Sequence, residues 1–243
     1  MPSLALPDRL IWFAHCPKAG GTSVEQFMVT HWGDAVGHLH WGWDLWWRKG
    51  GWRVASPPNS PQHLVWEDAR RQFQRPPDAV FAIVRDPVTR MASEYRWQGR
   101  GRRGTRAGKA LARLPFPVWL RLMLAVAERN PHAFDNHLRP QADFVPDTAR
   151  VFRLEEGLAP VLEWLCETAG HPSDGITFPH ALSTGADTRV SPQDARRIAA
   201  AFAVDYDRFG YHRPGTRARP DLLDRLARLF APVIAKLDRC GRL

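Results

Sequence analysis

The stretch that decides the fold runs from Leu10 to Ser23 and reads Leu-Ile-Trp-Phe-Ala-His-Cys-Pro-Lys-Ala-Gly-Gly-Thr-Ser. Its apolar first half predicts a strand, and the helical pattern after the glycines predicts a helix that begins at the turn between them. Backbone N–H groups at such a turn, together with the positive end of the helix dipole, favour an anion. The sequence therefore predicts a phosphate site whose members are Lys18, Ala19, Gly20, Gly21, Thr22 and Ser23.

The position of Lys18 separates this turn from the P-loop of nucleotide triphosphatases. That loop places its lysine between the last glycine and a serine or threonine, whereas Lys18 precedes Gly20 and Gly21, and no Gly-Lys-Ser/Thr follows. The glycines let backbone amides come close to an anion, and the lysine adds a mobile positive charge. The turn thus indicates a phosphate ligand without the signature of a triphosphate.

A second strand-to-helix junction is predicted at Val80–Tyr95. Val80–Val84 is a short apolar run, and Arg-Asp-Pro-Val-Thr-Arg-Met-Ala-Ser-Glu-Tyr follows it. Asp86 suits a helix N-cap, and Pro87 suits the first turn of the helix. Arg85 is then left at the carboxyl end of the strand, which is where α/β sheets place ligands.

Together, His-x-Pro-Lys-x-Gly-Gly-Thr-Ser and Arg-Asp-Pro-x-x-Arg-x-x-Ser-x-Tyr resemble the two cofactor-binding signatures of sulfotransferases that use 3′-phosphoadenosine 5′-phosphosulfate. The sequence is most similar to the carbohydrate branch of that family, which includes the heparan 2-O- and chondroitin enzymes and bacterial relatives. The resemblance covers about Leu10 to Tyr211. It implies an α/β fold with a P-loop-like central parallel sheet flanked by helices in a single catalytic domain. We expect that domain at 1–213 and an amphipathic helical tail at 214–243.

The resemblance also implies roles for individual residues in sulfuryl transfer to an acceptor hydroxyl. Lys18 and the amides of Gly20 to Ser23 are expected to bind the 5′-phosphate and neutralise the charge that develops on the leaving group. Arg85 and Ser93 are expected to hold the 3′-phosphate. The scheme requires no metal ion. Lys18 is therefore expected to serve both donor binding and catalysis.

His63 is the predicted general base. The breaker cluster 56–61 forms an extended loop that delivers Gln62-His63 just before a helical stretch, Glu67 to Phe73. In the relatives that the sequence resembles, a histidine at the end of a segment between the two motifs deprotonates the acceptor. The match of His63 to that segment is by position, so His38, His40 and a merely surface or capping role for His63 stay open.

Two further regions are candidates for acceptor binding. A tryptophan-rich stretch, 38–52, contains His40 and either stacks on a sugar or packs a loop onto the core. In the relatives, a segment similar to His137-Leu-Arg-Pro-Gln141 lies beside the acceptor pocket. His137 and Gln141 are therefore candidate acceptor contacts, and the alternative is a structural network at a helix end. The expected acceptor is a glycan or another small molecule that carries a hydroxyl group.

Charge and composition indicate which classes of ligand and which kinds of site the sequence favours. A net charge of +9 favours an anionic ligand or surface, and 44% hydrophobic residues are ordinary for a globular domain. The basic run 96–113 is a solvated loop or an acceptor contact, and it contains too few aromatic residues to favour nucleic acid. The three cysteines form no metal or disulfide pattern. Because no apolar run is long enough to span a bilayer, we expect a cytoplasmic enzyme without a transmembrane segment.

Two alternative functions stay open. One is an ATP-using, kinase-like phosphotransferase, and the other is a non-catalytic binder of polyanions or nucleic acid.

Residues 220–237 predict an amphipathic helix with one apolar stripe, Leu222, Leu226, Leu229, Phe230, Val233 and Leu237. That stripe is expected to pack on its own domain or on the second copy in a homodimer, and the alternative is a basic helix that lies on a membrane surface.

Overall fold

The computed structural model describes residues 2–37, 59–101, 105–171, 188–215, 220–240 and 243. The whole tryptophan-rich stretch 38–52, with His38 and His40, lies outside the described residues. The chain divides into two compact units, of which unit 1 comprises Met1–Arg85 with Gln141–Ser183, and unit 2 comprises Asp86–Pro140 with Thr184–Leu243. In the described part of the chain, no helix is both long enough and apolar enough to cross a membrane.

Unit 1 contains a five-stranded sheet in the order β3-β1-β2-β4-β5. Its strands are β1 (Ser3–Ala5), β2 (Leu10–His15), β3 (Val36–Gly37), β4 (Ala79–Val84) and β5 (Arg150–Arg153). The strands β2, β4 and β5 are parallel, whereas β1 is antiparallel to both β2 and β3. The predicted α/β class with a central parallel sheet is confirmed, and the antiparallel edge follows from the tight turn between β1 and β2, in which Leu6 N–H donates to the Arg9 carbonyl at 2.9 Å.

The central strands are apolar on both faces because both faces are covered. On one face Trp12 of β2 stacks on Trp66, with ring centroids 5.2 Å apart. On the other face Phe13 stacks on Phe81 at 4.7 Å, and Trp164 packs against Phe81 at 5.3 Å. Burial of each large aromatic ring contributes about 2–3 kcal/mol, so these contacts help to hold β2 and β4 in the core of unit 1.

The helices of unit 1 are α1 (Gly21–Trp32), α2 (Trp66–Ala69) and α6 (Ala159–Thr168). A 3-10 turn at Pro61–His63 precedes α2. The predicted helical stretch that ends at Phe73 is therefore wrong at its far end, because α2 already ends at Ala69. Trp66 supplies the anchor of this short helix through its stack on Trp12.

Unit 2 is helical in its described residues, and its helices are α3 (Pro87–Gly101), α4 (Arg106–Ala112), α5 (Phe116–Arg129), α7 (Pro192–Ala201), α8 (Ala203–Phe209) and α9 (Leu222–Arg239). Its core surrounds α5, whose Trp119 and Met123 are almost completely buried. The helix α9 packs along α5 through Ala227, Ala231 and Ala235. The small alanine side chains let the two helix axes come close.

The start of α9 is fixed by a cluster of ion pairs. Arg121 of α5 pairs with Asp194 at 3.0 Å and with Asp221 at 2.8 Å, and Arg197 of α7 pairs with both Asp221 and Asp224 at 2.9 Å. Asp221 and Asp224 also form a capping box at the first turn of α9. The hydrogen bond from Arg121 holds the pKa of Asp221 well below its usual range, against the effect of partial burial.

Candidate active site

The predicted anion-binding turn joins β2 to α1. β2 ends at His15, α1 begins at Gly21, and Gly20 occupies the N-cap position with φ 86° and ψ 6°. Lys18 also has a positive φ of 67°, a conformation that costs a residue with a side chain about 1–2 kcal/mol. Such a cost is tolerated where the surrounding structure fixes the backbone, and it is common at ligand sites. The turn therefore has the geometry of an anion site at a helix N-terminus.

Arg85 lies at the same edge of the sheet as this turn. It follows β4, the parallel neighbour of β2, and its guanidinium Nη1 donates to the Lys18 carbonyl at 3.3 Å. Gln141 fixes the Arg85 backbone through two hydrogen bonds, since its Oε1 accepts from the Arg85 N–H and its Nε2 donates to the Arg85 carbonyl, each at 2.8 Å. The two cationic residues of the predicted donor site thus share one edge in unit 1.

A buried acid, Glu25, organises the side chains behind the turn. Its Oε1 lies 2.7 Å from His15 Nδ1, and Gln62 Nε2 donates to both of its oxygens, at 2.7 and 2.8 Å. The ring of His63 lies 5.0 Å from the ring of His15, edge to face. All four side chains are buried, and Glu25 is completely so. We call these residues, His15, Glu25, Gln62 and His63, the turn cluster.

Glu25 carries a negative charge in this cluster at neutral pH. Burial alone favours the neutral acid, but His15, Gln62 and His63 together outweigh it and hold the pKa of Glu25 below its ordinary value. A carboxylate at Nδ1 fixes the orientation of the His15 ring and directs Nε2 away from itself. That Nε2 lies where a side chain at residue 21 would stand, because a Cβ at Gly21 would overlap it. Glycine at this position therefore makes room for the imidazole.

His63 is held beside the turn by its neighbours in sequence. Its backbone N–H donates to the Ser60 carbonyl at 3.2 Å and closes the 3-10 turn. Gln62 anchors that turn to Glu25 of α1. The predicted base and the predicted donor turn consequently belong to the same unit, with His15 between them in the turn cluster.

Two predicted residues lie in unit 2. Ser93 is a buried residue of α3. His137 is buried as well, with Nδ1 at 2.7 Å from Glu94 Oε2 and its ring stacked on Trp97 at 4.7 Å. Gln98 Nε2 donates to the other oxygen of Glu94 at 2.7 Å. We call this second group, His137, Glu94, Trp97 and Gln98, the α3 cluster.

The backbone before His137 is strained. Phe134, Asp135 and Asn136 have φ values of 54°, 56° and 63°, so three consecutive residues with side chains adopt the left-handed conformation. Arg90 holds the chain that follows, since its guanidinium donates to the His137 carbonyl at 3.2 Å and to the Arg139 carbonyl at 2.9 Å. The strain indicates that the placement of His137 is specified by packing on α3.

Sequence reasoning missed both glutamates. Glu25 follows Val24 and precedes Phe27 on the apolar face of α1, and Glu94 follows the buried residues Met91 and Ala92 of α3. A single acid within the apolar face of a helix is the signal that would have found each of them. The histidine partners were present in the quoted motifs, but His15 was given no role.

The comparisons with known proteins identify a family for the chain but no individual relative. The family model described as "Sulfotransferase family" matches residues 4–212 of the chain. No curated protein matches the chain, and no solved structure matches it. The matched region includes both motifs, the sheet of unit 1 except its first residue, Ser3, the turn cluster and the α3 cluster.

Proposed function

The chain belongs to the sulfotransferase family, and on that premise we propose that it moves a sulfuryl group from 3′-phosphoadenosine 5′-phosphosulfate to a hydroxyl group, on a carbohydrate acceptor. Membership of the family was predicted from the two motifs and is confirmed. The donor, the acceptor class and the base are the proposal. The observation that carries it is the arrangement in unit 1, where Lys18 and Arg85 meet at one sheet edge and His63 lies in the turn cluster.

The proposed donor site uses the turn and both cations. The amides from Gly20 to Ser23 and the Lys18 ammonium bind the 5′-phosphate, because the positive end of α1 and the lysine both favour a dianion. Arg85 and Ser93, from the second motif, bind the 3′-phosphate. The two hydrogen bonds between the Gln141 amide and the Arg85 backbone, one donated by each residue, support this role, since they fix Arg85 before its side chain engages a ligand.

The proposed reaction is an in-line displacement at sulfur. The acceptor oxygen forms a bond to sulfur while the bond from sulfur to the bridging phosphate oxygen breaks, and 3′-phosphoadenosine 5′-phosphate leaves. Negative charge grows on that bridging oxygen, where Lys18 and the turn amides stabilise it without a metal ion. The acceptor proton passes to the imidazole of His63. The products are the sulfated acceptor, the nucleotide and a protonated histidine.

Glu25 is a positioning residue in this scheme. It touches neither donor nor acceptor, but it binds His15 directly and holds the His63 segment through Gln62. The carboxylate that makes these contacts is ionised, because His15, Gln62 and His63 hold the pKa of Glu25 below its ordinary value despite burial. Glu25, a residue of α1, thus helps to fix the position of the segment that carries the proposed base, His63.

Fewer contacts support the proposed acceptor-binding residues than support the proposed donor-binding residues. His137 is proposed as an acceptor contact because packing on α3 fixes its place despite a strained backbone. His40 is proposed only from its place in the tryptophan-rich stretch 38–52. For Gln141 the contacts favour the structural alternative, because its amide binds the Arg85 backbone.

Transfer is tested by incubating the protein with 3′-phosphoadenosine 5′-phosphosulfate and a panel of neutral and acidic glycans. Release of 3′-phosphoadenosine 5′-phosphate is measured by ion-pair chromatography, and sulfated product by mass spectrometry. We expect nucleotide release and sulfated glycan in equal amounts for at least one acceptor class. If phenols were sulfated while glycans stayed unmodified, the acceptor would be a phenol and not a carbohydrate. Phosphorylated products formed from ATP would contradict the proposed donor.

A further inference from the structure

The helix α9 has one face packed in unit 2 and a second, apolar face at the surface. Ala227, Ala231 and Ala235 are buried against α5. The exposed large apolar side chains are Leu222, Leu223, Leu226, Leu229, Phe230 and Val233, with exposed fractions from 39% to 68%. Their spacing places them side by side along about three turns of the helix. We call these six residues the apolar stripe.

The apolar stripe is exposed and does not pack within unit 2, so the packing on its own domain that the sequence predicted is wrong for these residues. The leucines and Phe230 are exposed while the alanines pack on α5, because only small side chains fit the close approach of the two helices. Contiguous apolar patches of this kind on a protein surface usually mark an interaction site. The charges of α9 indicate what that site binds.

The exposed charges of α9 are all positive. Its two acids are used inside unit 2, since Asp224 pairs with Arg197 at 2.9 Å and Asp238 accepts a hydrogen bond from the Phe134 N–H at 2.8 Å. The basic residues Arg225, Arg228, Lys236 and Arg239 are exposed and lie along one border of the apolar stripe. Only Arg228 has an acid nearby among the described residues, the exposed Glu128 at 3.8 Å. We call these four residues the basic border.

We propose that α9 docks on an anionic membrane surface. In this arrangement the apolar stripe enters the boundary between headgroups and acyl chains, and the basic border contacts anionic headgroups. Amphipathic helices with leucine and phenylalanine on one side and arginine and lysine beside them bind lipid surfaces in this way. The proposal is independent of the reaction proposed above.

A second copy of the chain fits the apolar stripe less well. A protein interface of standard size brings about 20–30 residues from each partner, whereas the stripe supplies six exposed apolar side chains. Two antiparallel copies of α9 related by a two-fold axis would also place basic border against basic border. An anionic surface instead complements both the border and the net charge of +9.

The test is co-sedimentation of the full chain with vesicles of phosphatidylcholine alone and of phosphatidylcholine mixed with phosphatidylglycerol. We expect binding to the mixed vesicles that weakens as salt is raised, and little binding to phosphatidylcholine alone. The double variant L229S/F230S is expected to lower the affinity at least about tenfold, because apolar insertion is lost. K236Q and R239Q are each expected to lower it about fivefold.

Val204→Ser is the matched control. Val204 is 46% exposed on α8, so the change removes a similar apolar group from the surface of the same unit. It is expected to leave vesicle binding unchanged, and thermal melts check that every variant is folded. Absence of binding to mixed vesicles at low salt overturns the proposal. So does binding that L229S/F230S leaves intact, or a dimer in sedimentation equilibrium that L229S/F230S abolishes.

Discussion

The molecule contains two buried histidine–glutamate pairs, one in each unit, and they differ in what surrounds them. His15 and His137 each place Nδ1 at 2.7 Å from a buried glutamate oxygen. In the turn cluster, the carboxylate also holds the Gln62 segment beside the predicted anion-binding turn. In the α3 cluster, the imidazole is stacked on Trp97.

The hydrogen bonds behind the two glutamates lead in different directions. Gln62 connects Glu25 to the segment that carries His63, a second histidine. Gln98 connects Glu94 to the Trp119 Nε1–H, which donates to it at 3.1 Å within the core of unit 2. A histidine–carboxylate pair therefore does not identify a catalytic group by itself. Its neighbours decide whether the pair belongs to a reaction site or to a packed network.

The largest expected effect comes from removing the charge at the turn. Lys18→Ala should lower turnover on the order of 10³-fold and weaken donor binding, because Lys18 neutralises the leaving group. Initial rates with an acceptor from the panel and donor titration by calorimetry measure the two effects. Lys109→Ala, at an exposed lysine of α4, is the control for donor binding and should leave the donor affinity unchanged. Normal turnover in Lys18→Ala would remove the turn from the reaction.

The next largest effects are expected from histidine-to-glutamine substitutions in the turn cluster and beside Glu94 in the α3 cluster. His63→Gln should lower turnover at least about 10²-fold with donor binding retained, as expected for loss of a general base. His137→Gln should raise the acceptor KM and leave the pH dependence of turnover unchanged. Single-turnover rates across a pH series distinguish the two variants. If His137→Gln abolished the pH dependence and His63→Gln kept it, the roles of the two histidines would be exchanged.

Glu25→Gln tests how the turn cluster positions its histidines. We expect turnover to fall about tenfold and the free energy of unfolding to fall by about 2 kcal/mol at pH 7, because a charged hydrogen bond acceptor inside the protein becomes neutral. Folding lowers the pKa of Glu25 below its ordinary 4.5, so its stabilising effect is present above that pH and is lost as the pH falls toward the folded value.

Urea unfolding of wild type and Glu25→Gln at several pH values measures that dependence. The gap between the two proteins should be widest near pH 7 and should narrow below pH 4.5. A gap that widens as the pH falls would mean that Glu25 is neutral in the folded protein, and the charged turn cluster would be wrong.

The smallest effects are expected from two glycine-to-alanine substitutions, one in each unit. Gly21→Ala should lower the free energy of unfolding by about 1–3 kcal/mol, because its Cβ overlaps His15 Nε2. Gly99→Ala is the control in α3, where the nearest atom to the new Cβ lies 3.9 Å away, and it should raise stability by about 0.5–1 kcal/mol. Thermal and urea unfolding measure both. Equal effects of the two variants would contradict the contact between Gly21 and His15.

The two junctions between strand and helix were predictable because their signals are local. β2 and α1 lie where the apolar run and the glycine pair predict them, and β4 ends just before Arg85 as expected. A buried strand, a turn glycine and a first-turn proline each act within a few residues. For that reason the donor side of the candidate site could be outlined from the sequence.

The distant partners of the two buried glutamates were not predictable, because these contacts depend on tertiary packing. Glu94 and His137 are separated by 43 residues, and Gln62 and Glu25 by 37. The helix α9 gives the same lesson, since its larger apolar residues suggested the buried face while the alanines occupy it. Periodicity finds an amphipathic helix, but the closeness of its neighbour decides which side chains are buried.

The most direct test of the proposed donor site is calorimetric titration of the protein with 3′-phosphoadenosine 5′-phosphate, adenosine 5′-phosphate and ATP, without added metal. We expect the 3′-phosphorylated nucleotide to bind at least about tenfold more tightly than the other two, because Arg85 adds a charged contact to the 3′-phosphate. Equal affinities for the three nucleotides, or a preference for ATP, would contradict the proposed use of 3′-phosphoadenosine 5′-phosphosulfate.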